Sequence, residues 1–279
     1  MEMREITIAH SPDSDDAFMF YALVNNKINS GNLKFINILS DIETLNRKAL
    51  DGVYDVTAIS FHAYAYVFDR YILMPCGASM GLGYGPIVVA KEEFDPADLK
   101  KFTVGVPGTL TSAFFILKIF EPEVKYKVIQ FDKIIDAILN GEVDAGLLIH
   151  EGQLTYSNSG LVKIIDFGEW WYKQTALPLP LGGNAIKREL GGQLIREISK
   201  YVYESIKYSI ENRNEALKYA LKFARGMDDN LADKFIGMYV NELTLDYGEE
   251  GRKAVQLFLD MGFEKGLIPK RVKVEFAEY

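Results

Sequence analysis

The chain has 279 residues, enough for one large α/β domain or two smaller lobes with a substantial core. Hydrophobic residues make up 48% and charged residues 25% of the sequence, so we expect a globular protein without extended disorder. The formal net charge of −8 argues against a nucleic-acid-binding protein, which would need a basic patch, but not against a small anionic ligand. A single cysteine, Cys76, excludes an intramolecular disulfide and a multi-cysteine zinc site.

The N-terminal segment MEMREITIAHSP predicts a strand almost from its start. It lacks the basic stretch and following apolar region of a secretory signal. Apolar runs elsewhere fall short of the roughly 18 residues that a membrane helix needs. We therefore expect a cytoplasmic protein without membrane insertion.

The first part of the chain alternates between strand and helix patterns. The predicted strands have the sequences REITIAH, LKFINIL and DVTAIS, and the predicted helices between them have the sequences DDAFMFYALVNN and DIETLNRKALDG. An aspartate cap, Asp41, opens the second helix, and Gly52 closes it. A glycine-rich loop and a further strand follow in GASMGLGYGPIVVAKEE.

From residue 102 the same order recurs. Strand patterns in FTVGVP, VKYKVIQ and DAGLLI alternate with helix patterns in TSAFFILKIF and FDKIIDAILNG. Alternating strands and helices predict mainly parallel sheets flanked by helices. The fold class is therefore α/β with two lobes and a ligand cleft between them.

Glycine- and proline-rich passages suggest where the chain crosses between the lobes. We place the crossings near residues 86 and 188, the second within LPLPLGGNAIKREL. The larger lobe then comprises residues 1–86 and 188–279, and the smaller lobe comprises residues 87–187. The helical patterns after residue 190 are expected to pack on the larger lobe.

Each of the three histidines, His10, His62 and His150, follows an apolar run. Ligands of open parallel sheets bind beyond the carboxyl ends of the strands, so this placement favours a site between the lobes. His150 is the strongest candidate for a general base, because imidazole accepts protons near neutral pH. The alternative is a histidine that is merely hydrogen-bonded at a strand end. Glu151 could orient the ring, although adjacent side chains on a strand diverge.

The segment VPGTLTSAFF places Thr111 and Ser112 at the start of a helix. Their hydroxyls and the free backbone N–H groups could hold a carboxylate or phosphate, or they could simply cap the helix. One glycine before the helix is too few for a Walker loop or a dinucleotide fingerprint, so no nucleotide cofactor is expected.

Further polar and aromatic groups come from other segments. Asp13, Asp15 and Asp16 suit a helix start, and one of them could bind ligand hydroxyls; their spacing does not match a calcium loop, and we expect no metal. Ser60 and Asn46 are expected near the same edge of the sheet. The pair Trp170 and Trp171 could form a wall of the cleft or belong to the core. Serine hydrolysis gets little support, because the G-x-S-x-G match GASMG at residues 77–81 lies in a glycine-rich loop before a predicted strand and not in a strand-to-helix turn.

Several motifs together resemble one family over nearly the whole chain. The motifs, in chain order, are SPDSDDAFMFYALV, DIETLNRKAL, GPIVVA, VPGTLTSAFFIL, GEVDAGLLIHE with LTY, GEWW, LPLPLGG and YVNELTLDYGEEGRKAV. This order resembles the 1,4-dihydroxy-6-naphthoate synthases, the lyases of the futalosine route to menaquinone. The resemblance implies a fold similar to that of type II periplasmic solute-binding proteins, in an intracellular enzyme that needs no cofactor.

The same resemblance implies roles for individual residues. His150 matches the catalytic histidine, the base that starts the fragmentation of cyclic dehypoxanthinyl futalosine. The implied substrate contacts are Ser60, Ser112 beside Thr111, Asp16 and Asn46.

One segment departs from the family. Where the family commonly reads close to S-P-C-P-N-D-T, this chain has SPDSDDA at residues 11–17, and the added negative charge is expected to repel an anionic ligand. Two other functions remain open, a solute-binding protein for a small carboxylate and the related chorismate dehydratase. The IHE and GEWW segments favour the lyase.

Overall fold

Two β-sheets organise the part of the chain that the computed structural model describes, residues 3–224 and 227–279. The strands are, in chain order, β1 Arg4–His10, β2 Leu33–Leu39, β3 Val56–Ser60, β4 Tyr71–Leu73, β5 Ser79–Gly81, β6 Ile87–Ala90, β7 Thr103–Val106, β8 Lys125–Val128, β9 Ala145–Leu148, β10 Val162–Asp166 and β11 Leu179–Lys187.

Helices cover both sheets. The α-helices are α1 Ser14–Val24, α2 Ile42–Leu50, α3 Phe61–Tyr64, α4 Ser112–Phe120, α5 Ile134–Leu139, α6 Gly152–Thr155, α7 Phe167–Thr175, α8 Gly192–Glu211, α9 Arg213–Ala220, α10 Asp229–Tyr239, α11 Glu242–Leu245 and α12 Gly248–Glu264. The two repeated strand–helix–strand–helix–strand units predicted from the sequence are confirmed, with ends that shift by a few residues. The Asp41 cap is confirmed as well, because its side chain accepts a hydrogen bond from the Thr44 N–H.

Each sheet is mixed rather than wholly parallel. The first has the order β2-β1-β3-β11-β4 with β5 paired to β11, and the second has the order β10-β6-β9-β7-β8. In both, the three strands of one repeated unit run parallel, whereas the remaining strands pair antiparallel. The predicted two-lobed α/β fold is therefore confirmed, with a parallel centre and antiparallel additions in each sheet.

Strand β11 corrects the predicted return of the chain. It pairs antiparallel with β3, with Gly182 opposite Ser60, so residues 179–187 belong to the first sheet and not to the smaller lobe. The chain enters the second sheet between β5 and β6 and returns between β10 and β11, before the predicted crossing near residue 188. The hydrophobic pattern of β11 predicts a strand but not which sheet supplies its partner. The division of the chain into domains otherwise stays a prediction.

The hydrophobic core continues from one sheet to the other. Ile59 of the first sheet and Val104 of the second belong to the same cluster of buried side chains. Phe258 of α12 packs edge-on against Phe115 of α4 and Trp171 of α7, at ring-centre distances of 5.0 and 5.5 Å. Helices α8 and α9 pack on α1 of the first lobe as expected, but α12 also contacts helices of the second lobe.

Candidate active site between the two sheets

A cleft lies between the sheets, where the carboxyl ends of their parallel strands face each other. It encloses about 770 Å³ of empty space, including solvent at its mouth. This size is in the range of small-molecule sites. The first lobe contributes Ser11 after β1 and Ser60 at the end of β3, and the second contributes Ser112 after β7 and His150 after β9. The cleft therefore lies where ligands of open α/β sheets bind.

His150 occupies an unusual backbone conformation at the edge of this cleft. Its φ of 52° lies in the left-handed region, which residues other than glycine seldom adopt. The ring Nδ1 lies 3.3 Å from Oδ2 of Asp13, and the edge of the Phe131 ring packs at 5.2 Å between ring centres. The His150 side chain remains 18% exposed, so it is held from two sides and still accessible from the cleft.

The carboxyl groups of Asp13, Asp15 and Asp16 cluster near His150. The Ser11 hydroxyl donates to Asp13, and the Ser11 backbone N–H donates to Oδ2 of Asp16 at 2.8 Å. Burial raises the pKa of Asp15 to about 8, and the neighbouring Asp16 and Asp13 add to the rise. Burial and Asp13 likewise raise the pKa of Asp16 to about 7. Near neutral pH these two carboxyls retain protons for much of the time, so the cluster repels an anionic ligand less than its formal charge suggests.

Asn46 supports Ser60 from behind the cleft. Its Oδ1 accepts from the Ser60 backbone N–H at 2.9 Å, and its Nδ2 donates to the Ser60 hydroxyl at 3.0 Å. Ser60 lines the cleft, whereas Asn46 is fully buried and does not. Because the Ser60 oxygen acts as an acceptor in this bond, its hydroxyl hydrogen remains available to a ligand.

Thr111 and Ser112 both line the cleft, but their hydroxyls differ in what they can offer. The Thr111 hydroxyl accepts from the Phe114 N–H at 3.0 Å and donates to the Gly108 carbonyl at 3.1 Å, so it is fully engaged in capping α4. The Ser112 hydroxyl accepts from the Phe61 N–H at 2.9 Å and keeps its hydrogen for a ligand. The start of α4 also directs its free N–H groups at the cleft, which favours an anion there.

Comparison of the whole chain with known proteins identifies its family. A sequence model described as menaquinone biosynthesis matches residues 6–264. The chain belongs to the menaquinone biosynthesis family. It is 38% identical over 265 residues to a 1,4-dihydroxy-6-naphthoate synthase of Thermus thermophilus, covering 95% of this chain and 96% of the relative. It is 34% identical over 275 residues to the protein of that name in Streptomyces coelicolor, covering 96% of each.

Solved structures show the same architecture. A protein of Archaeoglobus fulgidus has 46% sequence identity and a TM-score of 0.91, covering 95% of this chain and 98% of that one. The alkanesulfonate-binding protein SsuA from Xanthomonas axonopodis, bound to MOPS, has 13% identity and a TM-score of 0.74, covering 98% and 97% of the two chains. The predicted likeness of fold to periplasmic binding proteins is therefore confirmed for this family member. Within the described residues, the helices are too short or too polar to cross a membrane.

Only one of the three histidines reaches the cleft. His10 is buried and stacked on Phe20 at 4.5 Å, and His62 is buried and stacked on Phe115 at 4.3 Å. Burial lowers the pKa of each to about 4, so both rings are neutral packing elements at physiological pH. The expectation that all three histidines face the site is wrong for these two, because His10, the last residue of β1, and His62, in the short helix α3, have their side chains in the core.

The two tryptophans do not form the wall of the cleft. Neither Trp170 nor Trp171 is among the residues that line it. Trp171 is fully buried, and its indole N–H donates to the Pro178 carbonyl at 3.0 Å. The core alternative is therefore the correct one for Trp171.

The sequence does not single out Asn184 as a cleft residue, and it offers Asp15 only as one of three aspartates of which one could bind ligand hydroxyls. Asn184 of β11 is 1% exposed; its Nδ2 donates to the Gly77 carbonyl at 3.1 Å, and its Oδ1 has no hydrogen-bond partner among the described residues. Asp15 is 8% exposed and its Oδ1 likewise has no such partner. Both residues line the cleft, so a ligand could supply the missing bonds. The sequence signal for Asn184, an asparagine within an apolar strand, is too common to identify a site.

Tyr239 and Gln153 connect the loop that carries His150 to the first lobe. The hydroxyl of Tyr239, in α10, makes a 2.8 Å hydrogen bond with the Gln153 side chain. With its amide in the orientation that satisfies its neighbours, Gln153 accepts from the backbone N–H of His150 at 3.1 Å. These contacts fix the strained backbone from which the imidazole projects. Among the described residues, no group of three or more His, Cys, Asp or Glu side chains is arranged to hold a metal ion.

Proposed function

We propose that the protein is a 1,4-dihydroxy-6-naphthoate synthase, a carbon–carbon lyase that cleaves cyclic dehypoxanthinyl futalosine and releases 1,4-dihydroxy-6-naphthoate for menaquinone biosynthesis. Two relatives with that name match nearly the full chain. The observation that carries the proposal is the position of His150, whose imidazole lines the interlobe cleft at the carboxyl end of a parallel strand.

In this proposal His150 is the general base that takes the first proton from the substrate. A positioned base contributes typically 10²–10⁴-fold to a rate. Its partial exposure gives a ligand access, while the contacts of Asp13, Phe131 and Gln153 hold the ring and its backbone. The left-handed φ supports a functional assignment, because such strain persists where surrounding contacts enforce it.

The polar residues opposite His150 would hold the substrate. Ser60 and Ser112 can each donate a hydroxyl hydrogen, and the N-terminus of α4 favours a carboxylate. Asp16 lines the cleft and can bind a ligand hydroxyl, while Asn46 supports Ser60. A contact from Thr111 stays a prediction, since its hydroxyl is engaged within the protein. The proposal involves neither metal nor cofactor, and a cytoplasmic location stays a prediction.

The test is incubation of the purified protein with cyclic dehypoxanthinyl futalosine, followed by chromatography and mass spectrometry. Release of 1,4-dihydroxy-6-naphthoate, lost in the His150→Asn variant, is the expected result. Tight binding without turnover would instead support the solute-binding alternative. Dehydration of chorismate by the same preparation, with the futalosine derivative left intact, would replace the lyase assignment with chorismate dehydratase.

A further inference from the structure

Asp13 and His150 form a pair whose members come from different sheets. Asp13 follows β1 of the first sheet, and His150 follows β9 of the second. Their closest atoms, Oδ2 and Nδ1, are 3.3 Å apart, and the two side chains are 3% and 18% exposed. Because both side chains are shielded from water, this contact is electrostatically stronger than it would be on the surface, and it fixes the direction of both side chains.

The position of the Asp13 carboxylate determines which ring nitrogen of His150 carries the hydrogen. The Ser11 hydroxyl donates to Oδ2 of Asp13, the same oxygen that lies beside Nδ1 of His150. An ionised carboxylate has only lone pairs to offer, so the nitrogen facing it carries the hydrogen. The opposite nitrogen, Nε2, then keeps its lone pair.

The other nearby carboxyls are less suited to this task. Asp16 receives the Ser11 backbone N–H, and burial raises its pKa to about 7. Burial raises the pKa of Asp15 further, to about 8, so this carboxyl is mostly protonated at neutral pH. Glu151 follows His150 in sequence but does not line the cleft.

We infer that Asp13 is the positioning residue of His150: it accepts the Nδ1 hydrogen and thereby leaves Nε2 as the atom that takes a proton from the substrate. This inference rests on the proposed function, in which His150 is the base. Control of the tautomer matters because a histidine with the wrong nitrogen protonated cannot act as a base toward the ligand. The buried carboxylate also stabilises the imidazolium that forms when His150 accepts the proton.

The first test reads the tautomer directly in the ligand-free protein. Protein labelled with ¹⁵N in histidine is examined by NMR at about pH 9, well above the ordinary imidazole pKa of about 6.5. The chain has three histidines, so the signals that disappear in His150→Asn identify those of His150. We expect the wild type to carry its hydrogen on Nδ1. In Asp13→Asn the hydrogen should move partly or wholly to Nε2, because the new amide group can donate to Nδ1.

The second test separates positioning from binding. Asp13→Asn should lower kcat at least 10-fold while KM changes less than about 3-fold, since the substrate contacts remain. Glu151→Gln, the matched control that removes a neighbouring carboxylate, should keep both the tautomer and the kinetics of the wild type. Thermal unfolding of each variant verifies that it is folded.

Two results would overturn the role of Asp13: a wild-type His150 that carries its hydrogen on Nε2, or an Asp13→Asn variant with unchanged tautomer and kcat. The wild-type NMR result needs no substrate, and His150→Asn enters it only to assign the His150 signals. A wild type that does not release the naphthoate would therefore refute the proposed function, whereas the NMR spectrum would still decide whether Asp13 sets the tautomer.

Discussion

The hydroxyl of Ser112, the first residue of α4, accepts a 2.9 Å hydrogen bond from the backbone N–H of Phe61, the first residue of α3. This bond crosses from the second lobe to the first at the floor of the cleft. Ser112 therefore joins the lobes and presents a hydroxyl hydrogen to the ligand at the same time. A substitution at this position should affect both stability and binding.

We expect Ser112→Ala to destabilise the fold by about 1–3 kcal/mol, because the buried Phe61 N–H loses its acceptor. Substrate affinity should also fall, by roughly 10-fold or more, if the hydroxyl donates to a carboxylate. Urea unfolding and KM measure the two effects separately. Ser199→Ala is the matched control: Ser199 is buried, its hydroxyl has no hydrogen-bond partner among the described residues, and it lies outside the cleft. Loss of stability with unchanged KM would limit Ser112 to a structural role.

His150→Asn tests the proposed base. Asparagine tolerates the left-handed backbone at this position, so the variant should fold and bind ligand almost normally. It has no basic nitrogen, and turnover should fall about 10²–10⁴-fold. Single-turnover kinetics together with ligand-binding calorimetry would check this. Full turnover by the folded variant would remove His150 from the mechanism.

The buried carboxyl of Asp15 should make stability depend on pH. Its pKa rises from an ordinary 3.8 to about 8 on folding, so between these values the folded protein holds a proton that the unfolded chain has released. The free energy of unfolding should therefore fall as pH increases from about 4 to about 8, by up to about 1.4 kcal/mol per pH unit for one such group.

Urea midpoints at pH 5 and pH 8 measure this dependence. Asp15→Asn cannot ionise, so it should flatten the slope and gain stability relative to the wild type at pH 8. Asp69→Asn, a change at an exposed aspartate, should leave the slope as it is. An unchanged slope in Asp15→Asn would mean that Asp15 is not protonated in the folded protein.

Two helical glycines should respond in opposite directions to alanine. A Cβ on Gly262 of α12 would lie 1.9 Å from the Phe115 ring, which packs in the interlobe core, so Gly262→Ala should cost about 1–3 kcal/mol of stability. A Cβ on Gly237 of α10 would lie 3.6 Å from its nearest neighbour, Arg213, and Gly237→Ala should stabilise by about 0.5–1 kcal/mol. Thermal unfolding of both variants checks the pair. Equal effects would show that the close approach of Phe115 to α12 is not required.

Local features of the fold could be predicted from the sequence because they depend on neighbouring residues. The apolar pattern of residues 33–39 predicts strand β2, and Asp41 as a cap predicts the start of α2. The position of His150 beyond a strand followed from the same kind of reasoning. The family is indicated only by the set of motifs along nearly the whole chain, because no single segment is specific enough.

Only the tertiary structure decided which of these residues meet. Strand β11 joins the first sheet because β3 offers it an antiparallel edge, a choice that depends on residues more than a hundred positions away. Three histidines look alike in sequence, yet packing buries His10 and His62 and leaves His150 at the cleft. The contact of His150 with Asp13 likewise arises from the placement of one sheet against the other. Hydrophobic periodicity fixes which face of an element is buried, but long-range packing determines which side chains lie across from it.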